Sequence, residues 1–143
     1  IIEKEMIPDI IVIEAPDALI RYNDLAPNGF GIWTYMLSQA VQIDFMVCCL
    51  PYDLAQTDFL KLLDQDFRLR YGTGIGMAHA SNALVDSVDL INSKRLSIFY
   101  DIFDRMEVAV KEIWTETEIP VCNVISHADR FGIYLHSLLE SGE

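Results

Sequence analysis

Asp9 opens a run of four consecutive β-branched residues, Ile10-Ile11-Val12-Ile13, closed by Glu14. A strand with one wet face alternates polar and apolar residues. An unbroken run belongs to a strand covered on both faces, as in the parallel sheets of α/β proteins. The pattern returns as Asp44 and Phe45-Met46-Val47-Cys48, with Pro51 and Leu54 where Pro16 and Leu19 follow the first run. The interval between the two is that of one βα unit. A third run, Ile119 to Ile125, carries Pro120 near its start, where a missing N–H costs little. Three strands of one sheet are expected, the first of them central.

Helical spacing separates the runs. Between Gly31 and Val41, Ile32, Tyr35, Met36 and Ala40 recur every three to four residues, predicting a helix whose apolar face packs on a sheet. From Asp58 to Tyr71 the set Phe59, Leu62, Leu63, Phe67 and Leu69 predicts another, with Thr57 or Asp58 as N-cap and Gly72 just past the end. Asp104 is placed to cap a helix with the stripe Met106, Val110, Ile113 and Trp114. Asp129 is placed to start a last one through Ile133, Leu135 and Leu138. In the middle, Ile75, Met77 and His79 fit one face of a strand. Leu96 to Tyr100 fits a strand before Asp104, and also the start of a helix running on through Phe103 and Met106; the strand is preferred. The expected architecture is a single three-layer α/β domain over residues 1–143, in the order βαβαββαβα, with a mostly parallel sheet of about five strands flanked by helices.

Charge sets the surface. Ten Lys and Arg against 22 Asp and Glu leave a net charge of −12, while 52% of the residues are hydrophobic. That apolar share can bury a core, so the acidity does not signal disorder. A pI near 4.4 speaks against nucleic acid, whose phosphates require a basic footprint. The apolar runs are much shorter than the roughly 20 residues of a membrane span, and no secretion signal is visible. Cys48, Cys49 and Cys122 all lie in apolar runs and form no disulfide or zinc spacing, which fits a reduced, cytoplasmic protein. A start at Ile1 rather than Met suggests a piece of a longer protein.

Ligands of open α/β sheets bind beyond the carboxyl ends of the strands. After the first run come Glu14 and Asp17, then Asn23 and the Asn28-Gly29 turn before the helix at Gly31. A carboxylate at a strand end is placed to hold Mg²⁺ near a nucleotide; the plain alternative is a solvated rim and a turn. Asp53 follows the second run, Asn82 lies beyond the predicted middle strand, and His127 with Asp129 follows the last. His127 has the chemistry of a general base, although Asp129 is also explained as a helix cap and no nucleophile motif accompanies the pair. The G-x-x-x-x-G-K-[ST] loop is absent, so this segment is no complete P-loop NTPase. Gly72-Thr73-Gly74-Ile75-Gly76 follows a helix, not a strand, and reads as a helix stop and loop.

The segments PDIIVIEAPDALIRYNDLAPNGFG and DFMVCCLPYDLAQTD resemble the peptide maturation system proteins encoded beside clostridial ribosomally made peptide natural products. More distantly, the strand-Glu14 and strand-Pro51-x-Asp53 patterns are similar to the later half of P-loop proteins of the dethiobiotin synthetase and MinD kind, whose phosphate loop lies in the earlier half. The first resemblance implies an accessory place in a peptide-maturation pathway. The long polar and aromatic loop from Glu14 to Gly31 at the sheet's ligand-binding end, without a self-sufficient catalytic motif, is expected to bind a protein or peptide partner. The first resemblance also implies that this chain is the C-terminal part of its parent. The second implies half of an ATP- or GTP-dependent enzyme, with Glu14 and Asp17 positioning a Mg-nucleotide. A sheet short of strands also leaves an edge on which two copies can form a homodimer.

Overall fold

A computed structural model describes residues 10–15, 31–95 and 97–141, and the chain divides between Val41 and Gln42 into two compact units. In the first unit, helix α1 (Ile32–Ala40) starts at Gly31, whose φ of 80° is one that glycine adopts without strain. Of the predicted apolar face, Ile32, Tyr35 and Met36 are exposed, and Thr34 is the buried residue of the helix. Nor do the described residues of the first run form a strand. Ile10 to Ile13 lie outside any ladder and are exposed, Val12 to 89%. A β-branched run disposes the backbone to extend, but only pairing makes a strand, and no described strand pairs with it.

The second unit carries the sheet. Its elements are β1 (Val47–Pro51), a 3₁₀ turn (Tyr52–Leu54), α2 (Thr57–Tyr71), β2 (Met77–Ser81), β3 (Ala83–Val85), α3 (Ser87–Asn92), β4 (Ile98–Tyr100), α4 (Phe103–Glu116), β5 (Val121–Cys122) and α5 (Ala128–Ser141). Strands β1, β2 and β5 form a parallel sheet in the order β1-β2-β5, with Cys48 opposite Ala78 and His79 opposite Cys122. Strands β3 and β4 pair antiparallel as a separate ribbon. The fold class is α/β as expected. Its described strands divide into three parallel and two antiparallel, in place of one mostly parallel sheet of about five.

Packing explains the helices. In α2 the buried residues are Leu60, Leu63, Phe67 and Tyr71, spaced by three, four and four, while Leu62 and Leu69 of the predicted stripe face solvent. The helix is capped by Gln56, without a side-chain cap bond, rather than by Thr57 or Asp58, and it ends as expected at Gly72 in the left-handed region. Helix α4 follows Ile102 rather than a capping Asp104, and buries Met106 and Val110 against β5 and β2. Asp129 lies inside the first turn of α5, not at its cap. The third run contracts to Val121–Cys122, because Asn123 turns the chain away from the ladder. Among the described residues no helix is long and apolar enough to cross a membrane.

Candidate functional site

Because β1, β2 and β5 are parallel, their carboxyl ends share one rim. Pro51 leads there into Tyr52 and Asp53, Ser81 into Asn82, and Cys122 into Asn123 and the turn at residues 124–127. The antiparallel ribbon joins this rim through Asp101. Tyr52 Oη donates to Asp101 Oδ2 at 2.5 Å, and the Ile102 N–H donates to Oδ1 at 2.7 Å. Both bonds favour the ionised carboxyl, so Asp101 is held below the usual carboxylate range, chiefly by Tyr52. The same bond raises the Tyr52 phenol, which would lose its donor proton on ionising.

Asn82 is structural. Its Nδ2 donates to the Asp101 carbonyl at 3.1 Å, while its own carbonyl accepts from the Asp101 N–H at 2.9 Å, tying the ends of β3 and β4 together. Asn123, buried behind β5, donates from Nδ2 to the Ala80 carbonyl at 2.9 Å. Its Oδ1 accepts from the N–H groups of Ile125 and Ser126. One side chain thus fastens β5 to β2 and folds the turn that carries His127. His79 supports the same turn: its Nδ1 accepts the Val124 N–H at 2.9 Å, which fixes the neutral ring with its proton on Nε2, and burial lowers its pKa.

His127 lies between two partners, Ser126 Oγ at 2.9 Å from Nδ1 and Glu107 Oε1 at 3.6 Å from Nε2. This is a serine–histidine–carboxylate row without the geometry of an acyl-transfer triad. The carboxylate is beyond hydrogen-bond distance, and Ser126 Oγ also lies 3.3 Å from the carbonyl and the Oδ1 of Asn123, either of which competes for its proton. The two buried thiols, Cys48 and Cys122, are no better placed as nucleophiles. Burial, reinforced by neighbouring Cys49, pushes the Cys48 thiol up to about 12, and burial also raises Cys122, whose Sγ rests against Met77 Sδ.

Asp53, Asn82 and His127 therefore all belong to the rim, on three different loops, but no side-chain hydrogen bond or ion pair joins them among the described residues. Glu14 is exposed. Asp17, Asn23, Asn28 and Gly29 lie outside the described residues. Among those described, no three His, Cys, Asp or Glu side chains converge as metal ligands. Tyr52 and Asp101 are the rim residues that the sequence reading misses. Asp101 directly follows β4, the strand preferred for that segment, so its place at a strand end was the signal that could have found it.

The ribbon beside this rim has an open edge. The bonds Asp86 N–H to Ser97 O and Asp101 N–H to Asn82 O, both 2.9 Å, set the parity of the ladder. Residues 97, 99 and 101 face β3, so Ile98 and Tyr100 turn their N–H and C=O groups outward. Among the described residues no strand occupies that side. The side chains there are exposed as well, Ile98 to 55% and Tyr100 to 75%. Comparisons with protein-family models, curated proteins and solved structures give no significant match.

Proposed function

We propose that this chain is a partner-binding α/β domain, an accessory protein of a peptide natural-product maturation system, which holds an extended basic peptide along the outer edge of β4. The observation that carries the reading is that edge: outward N–H and C=O groups at Ile98 and Tyr100, flanked by large exposed apolar side chains. Peptides add to such edges as an extra strand, with the backbone supplying affinity and alternate side chains supplying choice. Charge selects the occupant. Lys94, Arg95 and Arg105 stand near the edge along the chain beside Asp86, Asp89, Asp101 and Asp104, so selection rests on the net charge of −12 of the chain as a whole. A second copy brings the same charge and is repelled, whereas a basic peptide is attracted and steered.

Proline scanning tests it. Tyr100→Pro removes an outward N–H and leaves the bonds to β3, a position at which an edge strand tolerates proline. Fluorescence anisotropy with a labelled peptide of alternating Lys and Val should show binding at low salt that weakens as salt shortens the Debye length. Tyr100→Pro should lower the affinity about tenfold or more, the loss of at least one hydrogen bond with its ordering, with an unchanged far-ultraviolet spectrum. No binding at any salt, or full binding by the variant, sinks the proposal. A dimer in sedimentation that Tyr100→Pro dissolves would assign the edge to a second copy and overturn it equally.

A further inference from the structure

Beside β5 lies a cavity of about 170 Å³ that the β4 edge does not explain. Its floor is apolar, formed by Met106 and Val110 of α4 with Val121 and Cys122 of β5. Its wall carries Lys111, Arg130 and His127, with Glu107 beside the histidine. Size restricts the occupant. Pockets for drug-sized ligands and cofactors run to roughly 300–1,000 Å³, so a nucleotide does not fit, whereas one branched hydrocarbon group with a small polar end does.

Charge restricts it further. Glu107 stands 3.6 Å from His127 Nε2, whereas neither Lys111 nor Arg130 has an ion-pair partner among the described residues. The chain has ten cations against 22 acids. Two of those ten, neither in a salt bridge among the described residues, share this cavity with the single carboxylate of Glu107, so the wall is net positive in formal charge and biased toward an anion. We propose that this cavity binds a small apolar carboxylate, its anionic end between Lys111 and Arg130 and its hydrocarbon over Met106, Val110 and Val121. Arg130 offers the planar fork that matches a carboxylate, and Lys111 a point charge. Two sources carry this chemistry, a free branched-chain acid and the carboxyl-terminal residue of a peptide. The site stands whether or not a peptide binds at β4.

Amide NMR of the full chain, titrated with four probes, tests the assignment: 3-methylbutanoate, 3-methylbutanamide, and a neutral peptide ending in leucine with a free or an amidated terminus. Saturable shifts at residues 121–130 are expected with at least one of the two free acids and with neither amide. Lys111→Gln and Arg130→Gln should each weaken that binding about tenfold or more. Both are exposed side chains, so folding is expected to persist and is checked in the same spectra. Shifts with the peptide acid alone identify a chain terminus as the source, and shifts with 3-methylbutanoate identify a free acid; either supports the site. Amides binding as well as acids, undiminished affinity in the K111Q/R130Q double variant, or no saturable shift from any probe would overturn it. Peptide binding at β4 shifts residues 97–101 instead, so the two sites fail separately.

Discussion

His79 shows how one side chain makes the rim sensitive to acid. Its Nδ1 accepts the Val124 N–H, and that bond exists only while the ring is unprotonated at Nδ1. Burial lowers its pKa below the ordinary 6.5. The unfolded chain therefore binds the proton first as pH falls, and stability drops with it. The His79 contribution is fully present above about 6.5 and is lost between 6.5 and the lowered folded value. Urea midpoints measured across that window should fall on acidification, and His79→Gln should flatten the fall because its side chain does not titrate. A wild-type midpoint that is unchanged between neutral pH and the low end of the window would contradict this account. Asp101 acts lower on the pH scale. Held down by Tyr52, its contribution is present above the ordinary carboxylate value and is lost as pH falls through its lowered folded value.

The elements show which features a sequence exposes and which it hides. Gly72 was legible as the end of α2, since its φ of 80° with open space around it calls for glycine on backbone grounds alone. The face of α2 was not: Leu62 and Leu63 are both apolar, so spacing alone admits two stripes, and only packing selects Leu60, Leu63, Phe67 and Tyr71. Likewise the run from Ile119 to Ile125 reads as one strand, yet Asn123 ends the ladder by bonding its own following amides. The candidate site was legible in its positions, Asp53, Asn82 and His127 each falling at the rim, but not in its partners, because Tyr52 with Asp101 and Glu107 with His127 are far apart in sequence. Asn123 is the most exacting of these links. Asn123→Ala leaves the buried Ala80 carbonyl without its donor and releases the turn, and should cost about 2–3 kcal/mol. Urea unfolding measures that loss, and hydrogen exchange at Ile125 and Ser126 should quicken more than exchange in α2. A cost below about 0.5 kcal/mol would mean that water or a neighbour replaces the amide without penalty.

At the scale of the whole molecule, the question is whether the unit from Gln42 to Glu143 is sufficient in itself. The largest fully buried side chains are Leu60, Phe67, Met77, Met106 and Val121, and all five lie in it. They come from α2, β2, α4 and β5, so the core draws on both the helices and the sheet rather than on one hairpin. In the first unit the described buried residues are only Gly31 and Thr34. A core of that distribution has what independent folding requires, namely apolar groups from several elements enclosed by their own chain. Against it stand a sheet of three strands, one only two residues long, and an acidic surface whose self-repulsion opposes compaction. Packing should prevail: a fragment spanning 42–143 is expected to unfold in urea as one cooperative transition, with fluorescence and far-ultraviolet signals coincident. Its midpoint should rise with added sodium chloride as the carboxylates are screened. A broad transition with the two probes out of step would show that the unit's core does not suffice. A cooperative one insensitive to salt would keep the core and remove the electrostatic opposition.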